Sequence, residues 1–148
     1  MGDPASQEPR SVVVSGPATG FRTEVEVGGH RLVVDEPLAV GGADQGPTPY
    51  EMLLAGLGAC TAMTLRLYAD RKKWPLERAR ISLRHRKVHA QDCVDCETKP
   101  AKMDVVDRII TLDGSLTEEQ RAKLLEIAER CPVQQTLGSK IQVNTKLA

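Results

Sequence analysis

Aromatic residues are nearly missing from this 148-residue chain, which has one Trp, two Tyr and one Phe. That removes the stacking platforms on which a single-strand nucleic-acid binder lays its bases. Neither sign of charge is in excess, with 20 Lys+Arg against 20 Asp+Glu, so no strong field favours a phosphate backbone. The longest uncharged apolar run, Met52 to Leu65, has 14 residues, where about 20 are needed to span a bilayer. The opening stretch MGDPASQEPRSVVV lacks the charged-then-apolar pattern of a secretory signal. The expectation is a cytoplasmic protein with no nucleic-acid and no membrane partner. What remains, 41% apolar and 27% charged residues, is ordinary globular composition. Residues 1–10 read as a disordered leader, and residues 11–148 as a single domain.

Hydrophobic periodicity orders the rest. SVVVSG and FRTEVEV read as short strands, and Gly28-Gly29 as a two-residue hairpin turn into HRLVVDEP. LAVGGADQGPTP is a Gly/Pro loop whose glycines point to a mobile rim or a close backbone approach. Thr48-Pro49-Tyr50-Glu51 matches a capping box with Pro at the first helical position. The helix it opens runs to about Lys73, and Pro75 stops it. LERARISLRHRKVHA alternates as a strand, with Ile81 and Leu83 on one face and Arg80, Ser82, Arg84 and Arg86 on the other. QDCVDCETKPAK is a polar loop and MDVVDRIITLDG another strand. Thr117 to Gln120 is a second capping box, Cys131-Pro132 restarts a helix that Gly138 ends, and KIQVNTKL reads as a final strand. The pattern is α+β, with antiparallel-rich sheets packed on a long central helix. That helix is apolar all round at its centre and needs cover on every side, which points to a dimer with a shared core.

The four cysteines, in a reducing compartment, point to redox, catalytic or metal chemistry rather than structural disulfides. On a helical wheel Cys60 shares its side with Leu53, Gly56, Leu57, Met63, Thr64 and Leu67. It is therefore expected to face a packed apolar surface, either as a small hydrophobe or as a reactive thiol. Cys131 precedes Pro132 at the start of a helix, where a thiol is acidified. It is either a buried residue at a helix break or a redox partner for Cys60.

Two segments carry a resemblance. GPTPYEMLLAGLGACTAMTLRLYADRKKWPL resembles the first cysteine helix of the OsmC/Ohr family of thiol peroxidases, and LLEIAERCPVQQTL its second cysteine segment. RKVHAQDCVDCE is similar to a subgroup of OsmC-like proteins, and the likeness runs from about residue 18 onward. It implies an OsmC-like fold, an intertwined homodimer and the reduction of organic hydroperoxides by an external dithiol, with no bound cofactor. It further implies Cys60 as the peroxidatic nucleophile and Cys131 as the resolving thiol. Arg22 is the implied activator, otherwise a strand-face residue, and Arg31 the reserve. The family carboxylate falls at Tyr50, with Glu51 shifted by one. Ten residues of helix cover about 15 Å, so neither reaches its own Cys60. Glu51 orients the arginine or caps its helix.

His85, His89, Cys93 and Cys96 form a chemically complete tetrahedral zinc set. The two histidines, however, would lie about 13 Å apart along a strand, so no metal site is expected. A redox C-x-x-C is disfavoured as well, because Asp92, Asp95 and Glu97 would raise those thiols' pKa. The alternative to a peroxidase is a non-catalytic OsmC-like protein that binds an apolar ligand or carries a structural zinc.

Overall fold

The computed structural model describes residues 10–89 and 102–148. In chain order they form β1 (Val12–Ser15), β2 (Thr23–Val27), β3 (His30–Val34), a 3-10 turn (Leu38–Val40), α1 (Pro49–Lys72), β4 (Arg78–His89), β5 (Lys102–Asp113), α2 (Glu118–Ala128) and α3 (Pro132–Leu137). The mixed α and β architecture with antiparallel sheets is the one expected. The chain packs as two compact units, residues 1–52 and 53–148, with the boundary inside α1. The leader and the 91–101 loop, with Cys93 and Cys96, lie outside the described residues, as does the His89 side chain.

In the first unit β1, β2 and β3 form an antiparallel sheet in that order. The β2–β3 turn is the expected Gly28-Gly29 pair, both at positive φ (54° and 81°), the twist that a two-residue hairpin requires. Buried Asp35 then organises the Gly/Pro loop. Its carboxylate accepts the backbone N–H groups of Glu36 (2.8 Å), Ala43 (3.3 Å) and Gln45 (3.2 Å). The close backbone approach read from the glycines is present, since a Cβ at Gly46 would collide with the Val33 carbonyl. Thr48 and Glu51 make the capping box of α1, at 3.2 Å and 2.8 Å.

In the second unit α1 buries a stripe of Leu57, Gly58, Thr61, Leu65 and Ala69, spaced at three and four residues as one helical face requires. By length and hydropathy alone α1 could cross a bilayer, but its fully buried Leu65 and Ala69 belong to a core with Leu76, Leu116, Leu124, Ile127 and Ala128. Gly58 sets the spacing to the sheet, because an added Cβ would stand 2.8 Å from Leu83 Cδ1. β4 and β5 pair antiparallel from Arg78↔Asp113 to His89↔Lys102. Arg80, Ser82, Arg84 and Arg86 are exposed and Ile81 and Leu83 half-buried, as the alternation predicts. α2 carries its capping box at Thr117 and Gln120. α3 starts with Cys131 as N-cap and Pro132 at N1.

Two expectations need correction. KIQVNTKL is not a strand: residues 140–148 are irregular. A strand is made by its ladder partner, and this segment has none among the described residues; Ile141, Val143 and Leu147 are exposed. The packed apolar surface expected beside Cys60 is made only in part within one chain, where Leu57 is buried. The buried stripe lies to one side of Cys60, and Leu53, Met63 and Leu67, which share its direction, are 46%, 71% and 54% exposed. The wheel gives phase but not which phase is covered.

Two outcomes follow from this packing. Leu124→Ala, at a position with no exposure, should cost about 2–5 kcal/mol in denaturant unfolding. Backbone donors, above all Glu36 N–H, hold the Asp35 carboxyl below its usual value of 3.8. Its contribution is therefore complete above that value and lost as pH falls through the lower folded one. Asp35→Asn should melt below the wild type at neutral pH, and the two melting curves should converge on acidification below 3.8.

Candidate functional site

Cys60 projects from the middle of α1, one position before Thr61 in the buried stripe, and is half-buried. Cys131 is reached by a different route. α2 ends at Ala128, Cys131 N–H still bonds the Ala128 carbonyl (3.3 Å), and Cys131 then turns extended (φ −57°, ψ 126°) to cap α3. Pro132 enforces the turn, since a residue before proline is pushed out of the α region. The turn buries the thiol completely.

The two thiols, 71 positions apart in sequence, lie close enough to shift each other's ionisation, and both are free rather than disulfide-linked. Burial pushes the Cys60 thiol up, and donating its hydrogen to Cys131 pushes it further. Burial acts on Cys131 in the same direction. There it is outweighed by hydrogen bonds from Cys60, the Gln134 backbone N–H, the Thr61 hydroxyl and the Val133 backbone N–H, so Cys131 lies below the usual thiol value. Of the two, Cys131 is thus the more acidic thiol. Backbone donors at a helix start favour a thiolate, as the Cys-Pro junction predicts.

A polar group absent from the sequence reading completes the site. Arg108 sits on β5 opposite Leu83, in phase with Ile110 and Leu112, on the inward side of the sheet. Its side chain is 11% exposed. It donates to Thr61 Oγ1 at 3.0 Å and to Glu129 Oε1 at 2.9 Å. Gln134 donates its side-chain amide to the other Glu129 oxygen, while Gln134 Oε1 is buried with no hydrogen-bond partner. The signal for Arg108 was available as period two: Val106, Arg108, Ile110 and Leu112 fall on one face, and an arginine in phase with apolar residues is a buried cation that needs a partner.

A family model described as OsmC-like protein matches residues 41–146. The chain belongs to the OsmC family. Its fold is similar to that of an OsmC-like protein from Mycoplasma pneumoniae (TM-score 0.70, 16% identity, 88% of each chain). It is also similar to an organic hydroperoxide resistance protein of Legionella pneumophila (TM-score 0.62, 19% identity, 88% of this chain and 91% of that one). A third likeness is to an organic hydroperoxide resistance protein of Bacillus subtilis (TM-score 0.59, 17% identity, 87% and 90%). No protein of curated function matches the sequence.

In this OsmC-like chain the other expected site residues occupy the first unit and have partners there. Arg22 pairs with Glu24 at 2.9 Å and lies close enough to Asp35 to stabilise its charge. Arg31 pairs with Glu26 at 3.3 Å. Glu51 is the capping residue of α1, and Tyr50 is half exposed at the helix start. In the second unit His85 Nε2 contacts Asp104 Oδ1 at 2.7 Å. No cluster of three or more metal-ligating side chains occurs among the described residues.

Following the Cβ chemical shifts of Cys60 and Cys131 against pH in ¹³C-cysteine-labelled, reduced protein should give Cys131 ionising below a free cysteine and Cys60 above it. The reverse order would show the proton to be on the other sulfur.

Proposed function

We propose that this protein is a thiol-dependent peroxidase that reduces organic hydroperoxides in the cytoplasm, acting as a homodimer with an external dithiol as reductant. The observation that carries this reading is the reduced Cys60–Cys131 pair, with one thiol half-exposed and the other buried. Access selects Cys60 to meet the peroxide, and acidity selects Cys131 for the second step.

In the first step the Cys60 sulfur, as thiolate, attacks the outer peroxide oxygen. The S–O bond forms, the O–O bond breaks and the alkoxide leaves as alcohol after taking a proton. Cys60 is then a sulfenic acid, oxidised by two electrons. In the second step the Cys131 thiolate attacks that sulfur. The S–S bond forms, the S–O bond breaks and hydroxide leaves as water after taking a proton. A dithiol then supplies two electrons and two protons by exchange and restores both thiols.

The first step requires Cys60 to lose a proton that burial and Cys131 both hold in place. A cation beside it in the assembled dimer would reverse that balance. Arg22 is the proposed source, with Arg31 in reserve and Glu51 orienting the guanidinium. Exposed Leu53, Met63 and Leu67, in phase with Cys60, support a second copy as cover and an apolar wall for an alkyl group.

One observation favours the rival reading, an apolar-ligand binder. The first unit has a cavity of about 430 Å³ lined by Val14, Phe21, Val25, Val34 and Met52 among others. Kinetics separate the two. Wild-type protein with a dithiol should consume cumene hydroperoxide continuously, and Cys60→Ser should consume none. Cys131→Ser should use one equivalent and then slow by roughly 100-fold, because a held thiol replaces a bimolecular reaction. Undiminished turnover by Cys60→Ser would falsify the peroxidase reading.

A further inference from the structure

The Arg108 guanidinium serves two acceptors, one in each cysteine's own segment. Thr61, its acceptor on α1, is the residue after Cys60. Glu129, its acceptor just past α2, stands two residues before Cys131. The backbone between Glu129 and Cys131 has little slack. Glu129, Arg130 and Cys131 donate in succession to the carbonyls of Glu126 (3.2 Å), Ile127 (2.9 Å) and Ala128 (3.3 Å). Thr61 is fixed as well. Arginine has no acceptor atom, so Thr61 Oγ1 accepts from Arg108 at 3.0 Å and donates its own hydrogen to the Leu57 carbonyl at 2.8 Å.

Stability alone is a weak reason for this fork. The Glu129 side chain is 62% exposed, and an ion pair so open to water contributes little. Arg108, at 11% exposure, gives up most of its own hydration to make the two bonds. What the fork secures is a spacing. Gln134 on α3 donates to the second Glu129 oxygen, so the helix that Cys131 caps is held to the same carboxylate. Spacing matters here because a disulfide needs its two Cβ atoms about 3.5–4.5 Å apart, and a misplacement of about 1 Å can slow a reaction roughly 100-fold.

We propose that Arg108 is a positioning residue for the joining of Cys60 to Cys131. Its fork holds the α1 backbone beside Cys60 and the turn before Cys131 at the separation from which the two sulfurs can bond. It acts through the oxygens of Thr61 and Glu129. The proposal deepens the two-thiol reading and rests on it for its purpose, but its test needs only the two thiols.

The test equilibrates full-length protein with mixtures of reduced and oxidised glutathione. The Cys60–Cys131 bridge is then read by alkylation and peptide mass mapping, which separates it from Cys93 and Cys96. In that exchange the glutathione S–S bond breaks and the protein S–S bond forms. The protein loses two electrons, and its two thiol protons end on two glutathione thiols. Arg108→Met should lower the equilibrium constant by roughly 10- to 100-fold. Thr61→Val and Glu129→Ala each cut one arm and should lower it by less. Combined with Arg108→Met, neither should lower it further, as coupled residues require. Glu129→Gln, which keeps an acceptor oxygen, should retain most of the wild-type value. A residue that only stabilises the fold supports reduced and oxidised forms alike. Arg121→Met, which loses bonds to the Leu112 (2.8 Å) and Gly114 (3.1 Å) carbonyls, should therefore unfold earlier with its constant unmoved. If Arg108→Met does not fold, Thr61→Val and Glu129→Ala decide. An unmoved constant in folded Arg108→Met, or in both single-arm variants, overturns the proposal. So does a fall in Arg121→Met as large as theirs. No peroxide enters the measurement, so protein that forms the bridge with glutathione yet consumes no peroxide would sink the peroxidase reading alone.

Discussion

The meeting of two free thiols, Cys60 from α1 and Cys131 from the start of α3, is the interaction around which the candidate site of the second unit is built. Burial opposes charge on either sulfur, and Cys131 is the one with donors enough to offset it. Cys131 has them because Pro132 forces a chain break there, leaving the N–H groups of Val133 and Gln134 without helical acceptors. The end of one helix, the start of the next and one face of α1 thus meet at this pair. Thr61, Arg108 and Glu129 extend the same network to the sheet and to the surface.

Exposure and acidity fall on different cysteines, and this division orders the chemistry. The buried thiol is protected from large electrophiles but lies beside the sulfur with which it is to condense. The half-exposed thiol meets an incoming molecule but holds its proton until another charge helps it. In such a pair the sulfur that can be reached is the less acidic one, and the more acidic one cannot be reached.

Much of this was legible in the sequence because it is local. Two capping boxes, a Gly-Gly turn, a Cys-Pro restart and the alternation of β4 and β5 are each settled within a few residues, and all are present. The misreadings came where a partner decides. KIQVNTKL has the alternation of a strand, but alternation cannot supply a neighbour. The wheel placed Leu53 and Met63 beside Cys60 correctly and then assumed they were covered, whereas Gly58 and Leu83 draw the opposite flank onto the sheet. Arg108 was legible in phase but not in meaning, since its partner Thr61 is 47 positions away on another element. The meeting of Cys60 with Cys131 came from family likeness, because spacing cannot close a loop of that length.

That loop has a mechanical consequence. Once the two sulfurs are joined, a covalent bridge spans roughly 70 residues, which removes chain entropy from the unfolded state worth about 4 kcal/mol. The bridge would tie α1 to the start of α3 and enclose β4, β5 and α2 between its ends. The oxidised form would then be the sturdier one, firmest under the stress that oxidises it, and would soften again when a reductant arrives.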